Sequence, residues 1–271
     1  MTKNRDLIRQ ISVVVLGVLA IVGAAYGSGA FGGTPTSEAA GGALSASATP
    51  VAPASTAFAI WSVIYLGLIG YAVWQALPAQ RESTRQRAMG WLAAASLVLN
   101  AAWLLVVQAG WVWVSVVVMA ALLVVLVLIL ERMRATASSS WVETVLVDGT
   151  FGLYLGWVTV AAIANVAAAA ASSEPGDLGL GATGWSVVLL VAAAVIGIAF
   201  AIHTGGRLTI NLAMAWGLAW IAVGRWDGPL EDATVAPVAA AAAAVVLLAA
   251  LVVRVRRRSP TARPATVPGA R

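Results

Sequence analysis

The sequence predicts an all-α, polytopic transmembrane bundle of about eight helices. Three observations carry this reading. Of 271 residues, 61% are hydrophobic and only 10% charged, with a mean hydropathy of +0.92. A soluble domain is roughly half apolar and a quarter charged, so these charges are too few to cover a water-facing surface. Apolar runs recur at about the 20-residue length that crosses the hydrocarbon. Finally, of the 16 Lys and Arg residues, all but Arg225 fall on one side if the chain crosses eight times.

The runs lie near 11–31, 56–77, 88–108, 111–130, 145–171, 184–203, 208–224 and 234–253. Pro, Gly, Ser or charged residues punctuate them. They are long and continuous, whereas barrel strands would be short and alternating. Helices satisfy their backbone groups internally, as lipid requires.

Lys3, Arg5 and Arg9 precede span 1, and Arg81, Arg85 and Arg87 separate spans 2 and 3. Arg132 and Arg134 separate spans 4 and 5, and Arg207 joins spans 6 and 7. The remaining basic residues, from Arg254 onward, follow span 8. The positive-inside rule then places both termini in the cytoplasm of a cell with the protein in its plasma membrane. Glu38, Glu174, Asp177, Asp227, Glu231 and Asp232 fall on the opposite side, a weak addition because acids contribute little to topology.

Span 1 has a second reading as a signal peptide, with a basic start and small residues near Ala30. Its apolar run is longer than a usual signal core. Between spans 1 and 2, Gly32 to Ser55 is rich in Gly, Ala, Ser, Thr and Pro and has no Lys or Arg. It reads as an outside loop, either a flexible connector or a lid over a pocket between helices. The segment 254–271 reads as a basic, disordered cytoplasmic tail near anionic headgroups. The net charge of +5 thus belongs to membrane topology, and no nucleic-acid partner is expected.

Composition removes much chemistry. Without Cys there is no thiolate nucleophile and no cysteine-ligated metal or cluster. One histidine, His203, rules out sites needing two, and the only lysine, Lys3, lies outside the apolar runs, so there is no buried Schiff base. No phosphate-binding G-x-x-x-x-G-K-S/T loop occurs. No nucleophile–base pair supports an enzyme, and no cofactor is required.

Twelve Trp are a heavy load for this length. Trp74, Trp91, Trp111, Trp113, Trp141, Trp185 and Trp226 fall near span ends, where interface anchoring accounts for them. Trp61, Trp103, Trp157, Trp216 and Trp220 lie deeper, and a buried indole N–H needs a partner or a cavity.

Three clusters combine aromatic and polar residues: Phe58, Trp61 and Tyr65 on span 2, Asn100 and Trp103 on span 3, and Tyr154, Trp157 and Asn165 on span 5. On span 5, Tyr154, Trp157 and Asn165 share about an 80° arc. Gly152 and Gly156 lie roughly opposite, as a G-x-x-x-G pair that permits close helix contact. Two readings stand for the clusters. Asn, Trp and Tyr at helical spacing can be bundle core, the Asn fixing helix packing. Alternatively, their common depth beneath the long loop makes an apolar pocket for a flat, polarisable ligand.

The clusters resemble the tryptophan-rich sensory protein family, also called the TspO/MBR or translocator-protein family. Span 2 is similar to its aromatic segment through Trp61 and Tyr65, span 3 reads Leu99-Asn100-x-x-Trp103, and span 5 carries Tyr154, Trp157 and Asn165 in the family's order. The resemblance covers five spans, about residues 11–171, and implies a TspO-like domain over 1–171. It departs from the family in lacking a W-x-P-P loop motif, in Leu153 where a Pro precedes the Tyr, and in Val106-Val107 after the span 3 motif.

The resemblance implies a five-helix unit, often dimeric, that binds a porphyrin, another tetrapyrrole or a sterol-like molecule beneath the first loop. Transport, sensing and tetrapyrrole breakdown have been proposed for such proteins. Carried over, Trp61, Tyr65, Asn100, Trp103, Tyr154, Trp157 and Asn165 would line that pocket. Residues 172–253 are then a three-helix extension.

The alternative is a secondary transporter of small hydrophobic molecules working through Asp148, though no inverted repeat is visible. Asp148 and Glu143 also read simply as carboxylates complementing the dipole at the start of span 5. His203 and Arg207 read as interfacial residues at the span 6–7 turn.

Overall fold

A computed structural model describes residues 2–27, 34–36, 38–173 and 179–258. Eight helices are long and apolar enough to cross a membrane, and no strand occurs among the described residues. They are α1 (Thr2–Gly27), α2 (Ile60–Ala76), α3 (Thr84–Gln108), α4 (Val112–Ala135), α5 (Thr150–Ala171), α6 (Gly181–Thr204), α7 (Leu208–Trp226) and α8 (Val235–Arg258). A 3₁₀ turn, Ser55–Ala59, leads into α2. A helical turn at Trp141–Glu143 and a π-helical stretch at Thr144–Gly149 lead into α5.

Local chemistry sets several of these ends. The Ser83 and Ser140 hydroxyls accept from the N–H groups of Gln86 (3.4 Å) and Glu143 (3.2 Å). Each thereby satisfies a donor that the first helical turn leaves free. At the close of α6, Gly205 and Gly206 adopt φ of +71° and +78°. The Gly206 N–H then returns to the Ala201 carbonyl at 2.8 Å, the geometry in which glycine ends a helix.

The first five helices form a ring in the order α2, α1, α3, α4, α5, with α5 returning to α2. Outside the ring, α7 packs on α5, α8 on α7, and α6 on α8. Small residues make the α5–α7 contact. A Cβ on Gly156 would collide with the Ile210 carbonyl oxygen, and one on Gly152 with the Thr209 hydroxyl. Asn211 then ties the outer three helices together, its Nδ2 donating to the carbonyls of Gly197 (2.9 Å) and Val246 (3.0 Å). Lipid offers no hydrophobic drive between helices, so close backbone approach and interhelical hydrogen bonds carry this association.

The end of the bundle carrying the N-terminus is the more highly charged. Asp6 pairs with Arg87 (2.5 Å) and Arg9 (3.3 Å), and Arg9 also donates to the Arg81 carbonyl at 2.9 Å. Gln10 donates to the Gln75 carbonyl at 2.7 Å. These bonds accompany helix that begins at residue 2 rather than near 11: within the expected flank of span 1, Asp6, Arg9 and Gln10 are turned inward and paired, while Asn4 and Arg5 stay exposed. Helix also continues at the other terminus, through Arg254 to Arg258, into the stretch read as a disordered tail.

Asp148 is not at a helix start, because helical structure begins seven residues earlier at Trp141. Its partners are arginines. Arg85 donates to Asp148 Oδ1 at 2.8 Å and Arg207 donates to the same oxygen at 2.5 Å, while Arg85 also pairs with Glu143 at 3.4 Å. His203 lies at the surface, with Nε2 2.6 Å from Glu131. The position near Ala30, Glu174, Asp177 and the tail beyond 258, including Arg263 and Arg271, lie outside the described residues.

Candidate functional site

Towards the opposite end, the segment from Thr34 to Ala59 passes over α1, α2 and α3 and roofs a cavity of about 470 Å³. Ile21 and Ala25 from α1, Trp61, Ser62 and Tyr65 from α2, and Asn100, Trp103 and Leu104 from α3 form its walls. Pro35, Thr36, Leu44, Ala46 and Ser55 form its roof, with Phe58 where the roof meets α2. A smaller cavity of about 50 Å³ continues towards α4 and α5, sharing Thr36, Leu44, Phe58, Trp61 and Trp103 with the first and adding Trp157, Asn165 and Met119.

Helical spacing builds an aromatic wall. One turn apart on α2, Trp61 and Tyr65 stack at 5.1 Å with 19° between their planes. Trp61 also meets Tyr154 edge-on at 5.7 Å and Trp157 at 6.3 Å, while Phe58 meets Trp157 at 5.6 Å. Edge-to-face and offset contacts of this kind favour one fixed arrangement of the rings.

The polar groups are few and mostly committed. Tyr65 donates its hydroxyl to Asn100 Oδ1 at 3.1 Å. Trp103 Nε1 donates to Asn165 Oδ1 at 3.1 Å, and Asn165 Nδ2 donates to the Ser115 hydroxyl at 2.9 Å. The Tyr154 hydroxyl donates to the Ser96 carbonyl at 3.3 Å. Two groups beside the smaller cavity are exceptions, the Trp157 indole N–H and the Thr49 hydroxyl, both buried without a hydrogen-bond partner among the described residues. Among the described residues no three His, Cys, Asp or Glu side chains converge on a metal-sized site.

Of the seven residues singled out in the sequence, Trp61, Tyr65, Asn100 and Trp103 line the larger cavity. Trp157 and Asn165 line the smaller one, together with Trp61 and Trp103. Tyr154 lines neither; it is fully buried behind Trp61 and supports that ring from α5. Gly152 and Gly156 face α7, away from both cavities.

A family model described as TSPO-like protein matches residues 10–253. The chain belongs to the TSPO-like family. The match runs from within α1 to within α8, so it takes in α6, α7 and α8 as well as the ring of five. No curated protein and no solved structure matches the chain.

In this TSPO-like chain the roof is fastened by residues that the sequence does not connect to the first loop. Arg225, near the end of α7, is 1% exposed, and its guanidinium donates to the carbonyls of Ala46 (2.5 Å), Thr49 (3.4 Å) and Ala52 (3.4 Å). Trp216 Nε1 donates to the Ala57 carbonyl at 2.9 Å, and the Ala54 N–H donates to the Trp220 carbonyl at 3.1 Å. From the other side of the cavity, Gln108 donates to the Thr34 carbonyl at 2.8 Å. Arg225 did leave a signal in the sequence, as the lone basic residue on its side of the topology. Ser115 left none, since a single serine in an apolar run has many innocuous explanations.

Proposed function

We propose that this integral membrane protein binds a flat, hydrophobic, aromatic-compatible ligand, a porphyrin or other tetrapyrrole or a sterol-like molecule, in the cavity beneath the Thr34–Ala59 segment. The observation that carries the reading is the cavity itself. It is roofed, lies within the range of small-molecule sites, and is walled by Trp61, Tyr65 and Trp103 with Asn100 as its polar edge. Aromatic faces suit stacking on a planar ligand, and the Asn100–Tyr65 pair and the free Trp157 N–H supply a small number of orienting groups. Membership of the TSPO-like family supports the same reading.

The role assigned is binding in the service of sensing, regulation or transport rather than catalysis. The arrangement proposed in the cell has both termini in the cytoplasm and the roofed cavity on the far side of the plasma membrane, following the arginine distribution. A homodimer is compatible with this arrangement. The transporter alternative through Asp148 is less well supported, because both flanking arginines already hold that carboxylate.

The test is titration of the detergent-solubilised protein with protoporphyrin IX, followed by Trp fluorescence. Saturable quenching is expected. It should weaken about tenfold or more in Ala25→Phe, which places a ring in the cavity, and in the Trp103→Ala, Trp157→Ala double variant. Unchanged quenching in folded samples of both variants rules the cavity out as the site.

A further inference from the structure

We infer that the three helices outside the ring hold the cavity roof closed, and that Arg225 is the residue that positions it. The roof has few large apolar side chains of its own, Leu44 and Val51, to hold it closed. Residues 34–55 contain little large apolar surface to bury and no Lys or Arg. What the segment does present is carbonyl oxygens, because it is folded as successive tight turns. Ser45 N–H returns to Gly42, Ala48 N–H to Ser45 and Ala52 N–H to Thr49. The carbonyls of Ala46, Thr49 and Ala52 recur every three residues, and all three accept from one guanidinium.

An arginine suits this task because its planar fork carries several donors in fixed directions, where an ammonium is a single point charge. Its setting is also costly. No carboxylate is paired with Arg225 within salt-bridge distance among the described residues, yet the side chain is almost wholly withdrawn from water. An arginine serving only as a topology marker would lie in the headgroup layer, where its charge stays hydrated. The three carbonyl acceptors, with the more distant charge of Asp232, offset the burial here.

The residues held are those that roof the cavities. Ala46 borders the larger one, and Thr49 and Ala52 border the smaller. Trp216 and the Trp220 carbonyl fasten the next stretch, at Ala57 and Ala54, so one helix grips the roof at five points along its length. On its other side α7 is keyed into α5 through Gly156 and joined to α6 and α8 through Asn211. The outer helices thus form a fixed post beside the ring, and Arg225 is its attachment to the roof.

Hydrogen exchange of the full-length protein, with and without protoporphyrin IX, tests this. In Arg225→Gln the amides of residues 43–57 should exchange about tenfold faster or more, while those of α5 and the first half of α7 keep their wild-type protection. Arg225→Lys should fall between the two. Trp216→Phe, which keeps a ring and loses the donor, should loosen residues 54–58 more than 43–50. Unchanged exchange of 43–57 in Arg225→Gln overturns the inference, as does an equal rise throughout α5 and α7, which would make Arg225 a general stabiliser. In the ligand arm, which rests on the binding reading above, porphyrin dissociation should quicken about tenfold in Arg225→Gln. If wild-type protein binds no porphyrin, that reading fails and the exchange comparison without ligand still decides the role of Arg225.

Discussion

The indole N–H of Trp103 donates to Oδ1 of Asn165 at 3.1 Å, joining α3 to α5 across the interior of the ring. Asn165 is 1% exposed and passes its own N–H to Ser115 on α4, so three helices meet at one amide. The bond also fixes the Trp103 ring between the two cavities.

Asn165→Ala should therefore cost more than a surface change. It strands the buried Trp103 N–H, about 1–3 kcal/mol by analogy with other orphaned groups, while the Ser115 hydroxyl keeps its bond to the Val112 carbonyl at 2.6 Å. Single interhelical bonds in membranes contribute less, about 0.6 kcal/mol, because partners are found elsewhere in lipid. A loss of more than about 1 kcal/mol on thermal or denaturant unfolding in detergent would show that the three-way junction acts as a unit. Trp103→Phe, which removes the donor and part of the ring but leaves Asn165 bonded to Ser115, should break the α3 link while sparing the α4–α5 link.

Gly156→Leu should prise α7 from α5. The added side chain starts in the space of the Ile210 carbonyl, a backbone atom that cannot swing aside. Overpacking of this kind typically costs about 1–3 kcal/mol. Disulfide crosslinking between Cys pairs introduced across α5 and α7 should slow, while α3–α4 pairs crosslink as before.

Asp148→Asn should be the most damaging single change at the charged end. Arg85 has a side chain only 5% exposed and would keep only Glu143, at 3.4 Å, as an anionic partner. Breaking a buried pair on one side costs about 3–5 kcal/mol. Adding Arg207→Gln to Asp148→Asn should cost less than the sum of the single changes, since both arginines act on one carboxylate oxygen. Additive losses in unfolding measurements would show that the pairs are independent.

At the roofed end, Asp232 makes stability pH-dependent. Burial raises its pKa, but hydrogen bonds from the Val235 N–H, the Thr183 hydroxyl and the Thr234 N–H, with the charge of Arg225, together outweigh this and hold it below the ordinary 3.8. Its contribution is therefore complete above about pH 4 and is lost as pH falls through the depressed value. The melting temperature of the wild type should fall below about pH 4 more steeply than that of Asp232→Asn. Parallel curves would remove Asp232 as a source of the dependence.

Span number was legible in the sequence because apolar length in lipid leaves little choice of structure. The clusters on spans 2, 3 and 5 were legible because a helix places residues three and four apart on one face. Trp61 and Tyr65 needed only that periodicity to stack. Boundaries were less so. Residues 2–10 read as a charged flank, yet Asp6, Arg9 and Gln10 are helical and buried, since their partners come from residues about 65–80 positions away.

By itself, then, the sequence determined which segments enter the bilayer, that they are helical, and which helix faces carry aromatic and polar groups. Those properties are set by local periodicity and by the cost of unpaired backbone in lipid. The tertiary structure alone decided that Tyr154 supports Trp61 instead of lining a cavity, that Asp148 is held by two arginines, and that Arg225 grips the roof. Each of these is a long-range pairing, and a polar side chain in a nonaqueous interior takes whichever partner the packing of the helices brings within reach.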